Sequence, residues 1–199
     1  MVAHMKRFLE VMAIDDAAFV GSSMAGSLLV YMAAGALTPA FPIKTMIVLP
    51  GAGFMPDNEA RRAILDYDCT IEGMKRLMGA CFHSEKWVED EDYVRRRYEL
   101  SLVPGAWECA AAARFKNPLT PERTDFGKPD ETPYEMIGVP TLMVVGANDK
   151  VRLPGFATPL AQRIPDCELV LLDDCGHLPA LEKPDEVNAA ALAFLEKRR

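Results

Sequence analysis

The stretch AAFVGSSMAG, residues 17–26, decides how this chain is read. Ala17–Val20 is a short apolar run that passes without a break into Gly21-Ser22-Ser23-Met24-Ala25-Gly26. The segment that follows, LLVYMAAGAL (residues 28–37), is apolar on every side, which suits a helix buried beneath a sheet. A serine where a strand turns into a helix sits on a tight, strained turn. Its hydroxyl is raised above the carboxyl end of the sheet, with the helix N-terminus beneath it. Small neighbours are needed there because a side chain would collide with the adjacent strand or helix. Taking Ser22 as the raised hydroxyl would require a small residue at Val20, so Ser23 is the candidate nucleophile. Ala25 stands where such turns usually place a second glycine.

Outward from this turn the chain alternates strands and helices. Met5, Phe8, Leu9 and Met12 recur at helical spacing and predict an amphipathic helix over residues 3–13. Thr45–Leu49 (TMIVL) is a continuous apolar run stopped by Pro50-Gly51, as a buried parallel strand should be. Thr141–Val145 ends at Gly146, and Glu168–Leu172 ends at Asp173-Asp174. A last helix carries Val187, Ala190, Ala191, Phe194 and Leu195 on one face. The pattern predicts an α/β protein with a mostly parallel sheet covered by helices on both faces. Residues 57–135 break it: they hold 29 of the 51 charged residues, and Met74, Leu77, Met78 and Cys81 form a helical stripe. An ordinary crossover needs far fewer residues, so 56–135 reads as a helical cap inserted into a core of residues 1–55 and 136–199. The Pro-rich run Pro118 to Pro133 would lead back from the cap to the core.

Composition narrows the function. The 199 residues are 50% hydrophobic with a net charge of −7, which fits a folded acidic domain and disfavours nucleic acid or an anionic membrane as partner. No apolar run reaches the ~18 residues of a membrane span, and the N-terminal MVAHMKRFLEVMAI reads as a helix, not as a secretory leader. The five cysteines (Cys69, Cys81, Cys109, Cys167, Cys175) form no CxxC and read as reduced core thiols, which points to a cytoplasmic protein. Three scattered histidines and no cysteine pair offer no zinc site, and no cofactor is implied. Gly51-Ala52-Gly53 lacks the length and the lysine of a phosphate loop.

A serine hydroxyl needs a base, and the base needs an orienting carboxylate. His4 lies in the first helix and His83 in the cap, whereas His177 follows the last strand in Cys175-Gly176-His177-Leu178. Asp149 follows TLMVV in Gly146-Ala147-Asn148-Asp149-Lys150, again just past a strand. Alone, each has a bland reading, a solvated loop histidine and a turn aspartate. Together, Ser23, Asp149 and His177 all fall at the carboxyl ends of predicted strands, and that coincidence favours a catalytic set. A Cys175–His177 thiol pair is the weaker alternative, since the two lie two positions apart in one loop.

From the turn at Ser23 to the C-terminus the chain resembles the α/β-hydrolase superfamily. IGVPTLMVVGANDKVRLP and LVLLDDCGHLPALEKPDEVNAAALAFL are similar to that family's acid and histidine loops. GSSMAG, the cap run DEDYVRRRYELSLVPGAWE and CGH resemble the hydrolases that cleave carbon–carbon bonds in the meta-cleavage products of aromatic rings. An Asp-nucleophile dehalogenase is disfavoured, because this turn carries serine. The resemblance implies a Ser-His-Asp hydrolase acting on an ester or a dienoate or diketone, with the Met24 N–H facing an oxyanion. It also implies that Arg97 in the cap pairs with the substrate's carboxylate or enol, as a planar bidentate cation can. Ser22 and Leu178 stand where that branch usually has Asn and Trp, and both would help shape the substrate site. Family members carry further strands before the elbow and a loop that supplies the second oxyanion donor. Nothing in this sequence matches them, so the expectation is an α/β-hydrolase fold lacking its N-terminal strands. The elbow strand would then be an exposed edge, giving a poorly stable chain or a homodimer that pairs those edges. The rival to a working hydrolase is a remnant acting as a binding module.

Overall fold

The computed structural model describes residues 2–35, 42–111 and 129–198. In chain order its elements are α1 (Val2–Val11), β1 (Ala17–Ser22), α2 (Met24–Ala33), β2 (Ile43–Leu49), α3 (Glu59–Leu65), α4 (Ile71–Cys81), α5 (Lys86–Glu89), α6 (Glu91–Ser101), α7 (Ala106–Ala111), β3 (Thr141–Gly146), α8 (Ala157–Arg163), β4 (Cys167–Leu172), α9 (Pro179–Glu182) and α10 (Pro184–Glu196). The four strands form one parallel sheet in the order β1-β2-β3-β4. Ser22 pairs with Leu49 and Gly146 with Leu172, so the strands finish in register and their following loops open at one edge of the sheet. Among the described residues no helix is long and apolar enough to cross a membrane.

Alternation along the strands splits the core in two. Met46 and Val48 of β2 with Met143 and Val145 of β3 face Leu29 and Val30 of α2 and Leu160 in the middle of α8. Ile47, Leu49, Leu142 and Val144 face the other way, onto Val187 and Phe194 of α10. The central strands β2 and β3 are buried on both faces almost throughout, which is why they read as unbroken apolar runs. A third cluster, Tyr67, Met74, Met78, Phe82 and Val94, binds the helices between β2 and β3 to one another. Met74, Met78 and Cys81 are buried on one side of α4, with Leu77 packed beside them, as the predicted stripe required.

The expected cover on both faces fails at the edges. β4 is only half-buried over most of its length, and Leu171 is exposed. β1 has a single neighbouring strand among the described residues, and Ala18, Val20 and Ser22 lie open on the face away from α2. The amphipathic stripe of α1 also stays largely uncovered: Leu9 is buried, but Met5, Phe8 and Met12 are exposed. α2 packs beneath the sheet, as expected, through Gly26, Leu29 and Val30, while Met24 and Ala25 at its start are exposed. The thiols are also not uniformly in the core. None of the five is in a disulfide; Cys81 and Cys175 are buried, Cys69 and Cys167 half-buried and Cys109 exposed. Most of the run Pro118 to Pro133 lies outside the described residues, as does the end of LLVYMAAGAL.

Candidate active site

The elbow is built by two glycines and a forced backbone. Ser23 takes φ 52 and ψ −115, a conformation that costs an L-residue of order 1–3 kcal/mol and persists only where its surroundings impose it. A Cβ on Gly21 would sit 2.7 Å from the Leu29 side chain and 2.8 Å from backbone atoms of Ala25 and Gly26. One on Gly26 would sit 2.9 Å from the Gly21 carbonyl and 3.0 Å from that of Leu49. Ala25, by contrast, is exposed, so a methyl group is accommodated where the usual pattern has glycine. Ser23 occupies the N-cap position of α2 yet makes no side-chain cap bond, which leaves its hydroxyl for another partner.

That partner is His177. Its Nε2 lies 3.0 Å from Ser23 Oγ, and its Nδ1 lies 2.7 Å from Asp149 Oδ2. An ionised carboxylate only accepts, so Nδ1 carries the proton and donates it to Asp149; Nε2 is then the acceptor and the Ser23 hydroxyl donates to it. The His177 and Asp149 side chains are buried, at 5% and 3% exposure, which keeps water from competing for that bond. The second carboxylate oxygen, Oδ1, accepts the N–H groups of Val151 (2.8 Å) and Arg152 (3.1 Å). Three donors therefore fix the Asp149 carboxylate. The structure brings together, from the ends of β1, β3 and β4, the three side chains that sequence reasoning selected.

The remaining predicted residues are more scattered. Met24 begins α2, so its N–H belongs to the first turn, whose amides lack acceptors within the helix, while its side chain is exposed. Ser22 is exposed at the end of β1. Leu178 is half-buried and packs into the helical cluster around Met78 and Val94. Arg97 is exposed on α6 and makes no hydrogen bond or ion pair among the described residues, so nothing ties it to the Ser23 cluster. Cys175 is fully buried, its Sγ donates to the Gly176 carbonyl at 3.8 Å, and burial pushes its thiol up to about 12. Both ring nitrogens of His177 are engaged by Asp149 and Ser23, and the Cys175 thiol by the Gly176 carbonyl, so the geometry favours Ser23 over Cys175 as the partner of His177.

Several residues that hold the site together carry no advance signal. Gly146 ends β3 where the acid and histidine loops meet: a Cβ there would fall on the carbonyl oxygens of Cys175 and Gly176. Asn148 N–H donates to that Cys175 carbonyl at 2.9 Å. A glycine at a strand end is the one hint the sequence offers. Ser27 Oγ accepts the Ala52 N–H (2.8 Å) and donates to the Ser23 carbonyl, tying the elbow to the loop after β2. The Lys150 ammonium caps α4, donating to the carbonyls of Gly79 (3.0 Å) and Phe82 (3.4 Å). Arg152 is buried beside this group and donates to the carbonyls of Gly53 and Phe54. Burial pulls its guanidinium below the usual value, and the neighbouring Asp149 charge opposes that pull. Tyr134 accepts the Gly53 N–H and donates to Asp130; burial and that carboxylate push its phenol well up. Among the described residues no cluster of metal-ligating side chains occurs.

Comparison with known proteins agrees with this architecture. A sequence model described as the alpha/beta hydrolase family matches residues 2–190. The chain is 26% identical over 195 residues to a 2-hydroxymuconate semialdehyde hydrolase from Pseudomonas putida, covering 98% of this chain and 67% of that protein. It is 26% identical over 199 residues to a 2-hydroxy-6-oxo-6-(2'-aminophenyl)hexa-2,4-dienoic acid hydrolase from Metapseudomonas resinovorans, covering 99% and 66%. The chain thus spans about two thirds of the length of the curated relatives it matches. Among solved structures, a meta-cleavage product hydrolase from Pseudomonas fluorescens IP01 superposes with a TM-score of 0.81 at 23% identity, over 98% of this chain and 70% of that one.

Proposed function

The chain belongs to the alpha/beta hydrolase family, and on that footing we propose that it is a serine hydrolase using Ser23, His177 and Asp149 to cleave an ester or a meta-cleavage-type carbon–carbon bond. The observation that carries this reading is the continuous hydrogen-bonded line from Ser23 Oγ through His177 to Asp149, at 3.0 and 2.7 Å. In the reaction His177 Nε2 takes the proton from Ser23, or from water, as the oxygen attacks a carbonyl. Asp149, its carboxylate held by Val151 and Arg152, keeps the proton on Nδ1 and stabilises the imidazolium. The Met24 N–H faces the developing oxyanion. The relatives, a semialdehyde hydrolase and a dienoic acid hydrolase, favour a dienoate-type substrate, and the Ser22 and Leu178 departures leave an ester in play. Residues 56–135 act as the cap, and Arg97 is the group on it suited to a substrate carboxylate.

The test is a fluorophosphonate probe followed by intact mass. A single adduct on the wild-type chain, lost in Ser23→Ala, is the expected result. A folded chain that forms no adduct would overturn the reading.

A second reading, an interaction module or homodimer joined through β1, is favoured by one observation. Val20 on β1 (63% exposed) and Phe8 on α1 (51%) lie bare, and β1 has a single neighbouring strand among the described residues. Light scattering separates the cases: a dimer that Val20→Lys converts to monomer supports edge pairing, and a wild-type monomer at every concentration rejects it.

A further inference from the structure

We propose that Glu182 is the positioning residue for His177, holding the histidine loop against the end of α4; the inference rests on the triad reading above. Glu182 closes α9, and its two carboxylate oxygens collect three backbone donors from two separate segments. Oε1 accepts the N–H of Gly176 at 2.7 Å; Oε2 accepts those of His83 at 2.9 Å and Ser84 at 3.2 Å. Gly176 directly precedes His177, while His83 and Ser84 lie just past α4. The N–H of His177 itself donates to the Cys81 carbonyl at 2.8 Å. The histidine backbone is therefore gripped on both sides by one helix end, directly on one side and through Glu182 on the other.

The fit is specific to a carboxylate. Three donors converge on a group that only accepts, and such charge-assisted bonds are about twice as strong as neutral ones. A glutamine of the same volume must turn its NH2 toward at least one of those N–H groups. The space is closed as well: a Cβ on Gly176 would meet the Cys81 oxygen and the His83 nitrogen at 2.7 Å and Glu182 Oε1 at 2.9 Å. The same turn of α4 receives Lys150 on Gly79 and Phe82, which brings in the neighbour of Asp149. One helix end thus sets the separation of the acid and histidine loops, and Glu182 is the histidine side of that clamp. A shift of ~1 Å at a catalytic base costs on the order of 10²-fold in rate.

The test compares the full chain with Glu182→Gln and Glu182→Ala. Three quantities are read: the fluorophosphonate labelling rate of folded protein, the low-field proton resonance of His177 Nδ1–H, and wild-type amide exchange at Gly176, His83 and Ser84. Expected are labelling slowed about 10- to 100-fold in both variants, no rescue by glutamine, an upfield-shifted or broadened His177 signal, and slow exchange at the three amides. A Glu182→Gln chain that only melts earlier, with wild-type labelling and an unmoved signal, overturns the proposal. So does rapid wild-type exchange at those amides, a result that stands even if the variants do not fold. If the wild-type chain never labels, the triad reading falls, and the His177 signal and the exchange data still decide the role of Glu182.

Discussion

Replacing Gly146 with alanine should disable the site from a position that touches neither substrate nor proton. The added Cβ would fall on the Cys175 and Gly176 carbonyl oxygens and 2.6 Å from the Cys175 carbonyl carbon. All of these are backbone atoms of the loop that carries His177, and none can swing away as a side-chain end would. Ordinary carbon contacts lie at about 3.5 Å, so the loop must retreat by about 1 Å. The retreat stretches the Asn148 N–H bond to Cys175 and the 2.7 Å bond between His177 and Asp149 together. Overpacking of this kind costs about 1–3 kcal/mol of stability. For a chain of this length that lowers Tm by roughly 2–4 °C for each kcal/mol. Misplacing the base by ~1 Å slows labelling on the order of 10²-fold. The assay is the second-order rate of fluorophosphonate labelling on folded protein, beside a thermal melt. Gly138→Ala is the control: a Cβ there meets nothing within 4 Å, so stability should hold or rise by about 0.4–1 kcal/mol. A Gly146→Ala chain that labels and melts like wild type would refute the argument that this backbone contact holds the two loops together.

Asp149→Asn keeps the shape of the orienting group but lets an amide donate to His177 Nδ1, which favours the wrong tautomer; turnover should drop by about 10⁴-fold with the fold retained by circular dichroism. Phe194→Ala, at a side chain only 1% exposed between α10 and the sheet, should cost about 3–5 kcal/mol, read as a lower urea midpoint. Burial pushes Cys167 and Cys175 from 9.0 to about 12. Between those values the unfolded chain releases protons that the folded chain keeps. Their contribution is therefore whole below about pH 9 and is lost as pH rises toward about 12. Alanine at both positions should flatten that alkaline decline in the urea midpoint. With iodoacetamide at neutral pH, exposed Cys109 should alkylate first and Cys81 and Cys175 last, as peptide mass spectrometry would show.

The sequence alone determined the parts that depend on local pattern. TMIVL and TLMVV read as buried strands, because apolar residues on both faces need cover on both faces, and β2 and β3 have it. The turn at Ser23 was legible because strand, small residues and apolar helix follow one another within a few positions. Asp149 and His177 were legible because each comes directly after a strand, and a parallel sheet delivers such loops to one edge. Tertiary structure alone decided what depends on contacts between distant segments. Gly146 against Cys175, Glu182 across to His83 and Lys150 onto α4 join residues whose own neighbourhoods carry no mark of the partner. Periodicity also could not foretell which apolar faces stay bare. Met5, Phe8 and Met12 have the spacing of a buried stripe, yet burial needs something to pack against, and among the described residues β1 is the edge of its sheet. A pattern records which face of an element avoids water; only the packed molecule records what, if anything, covers it.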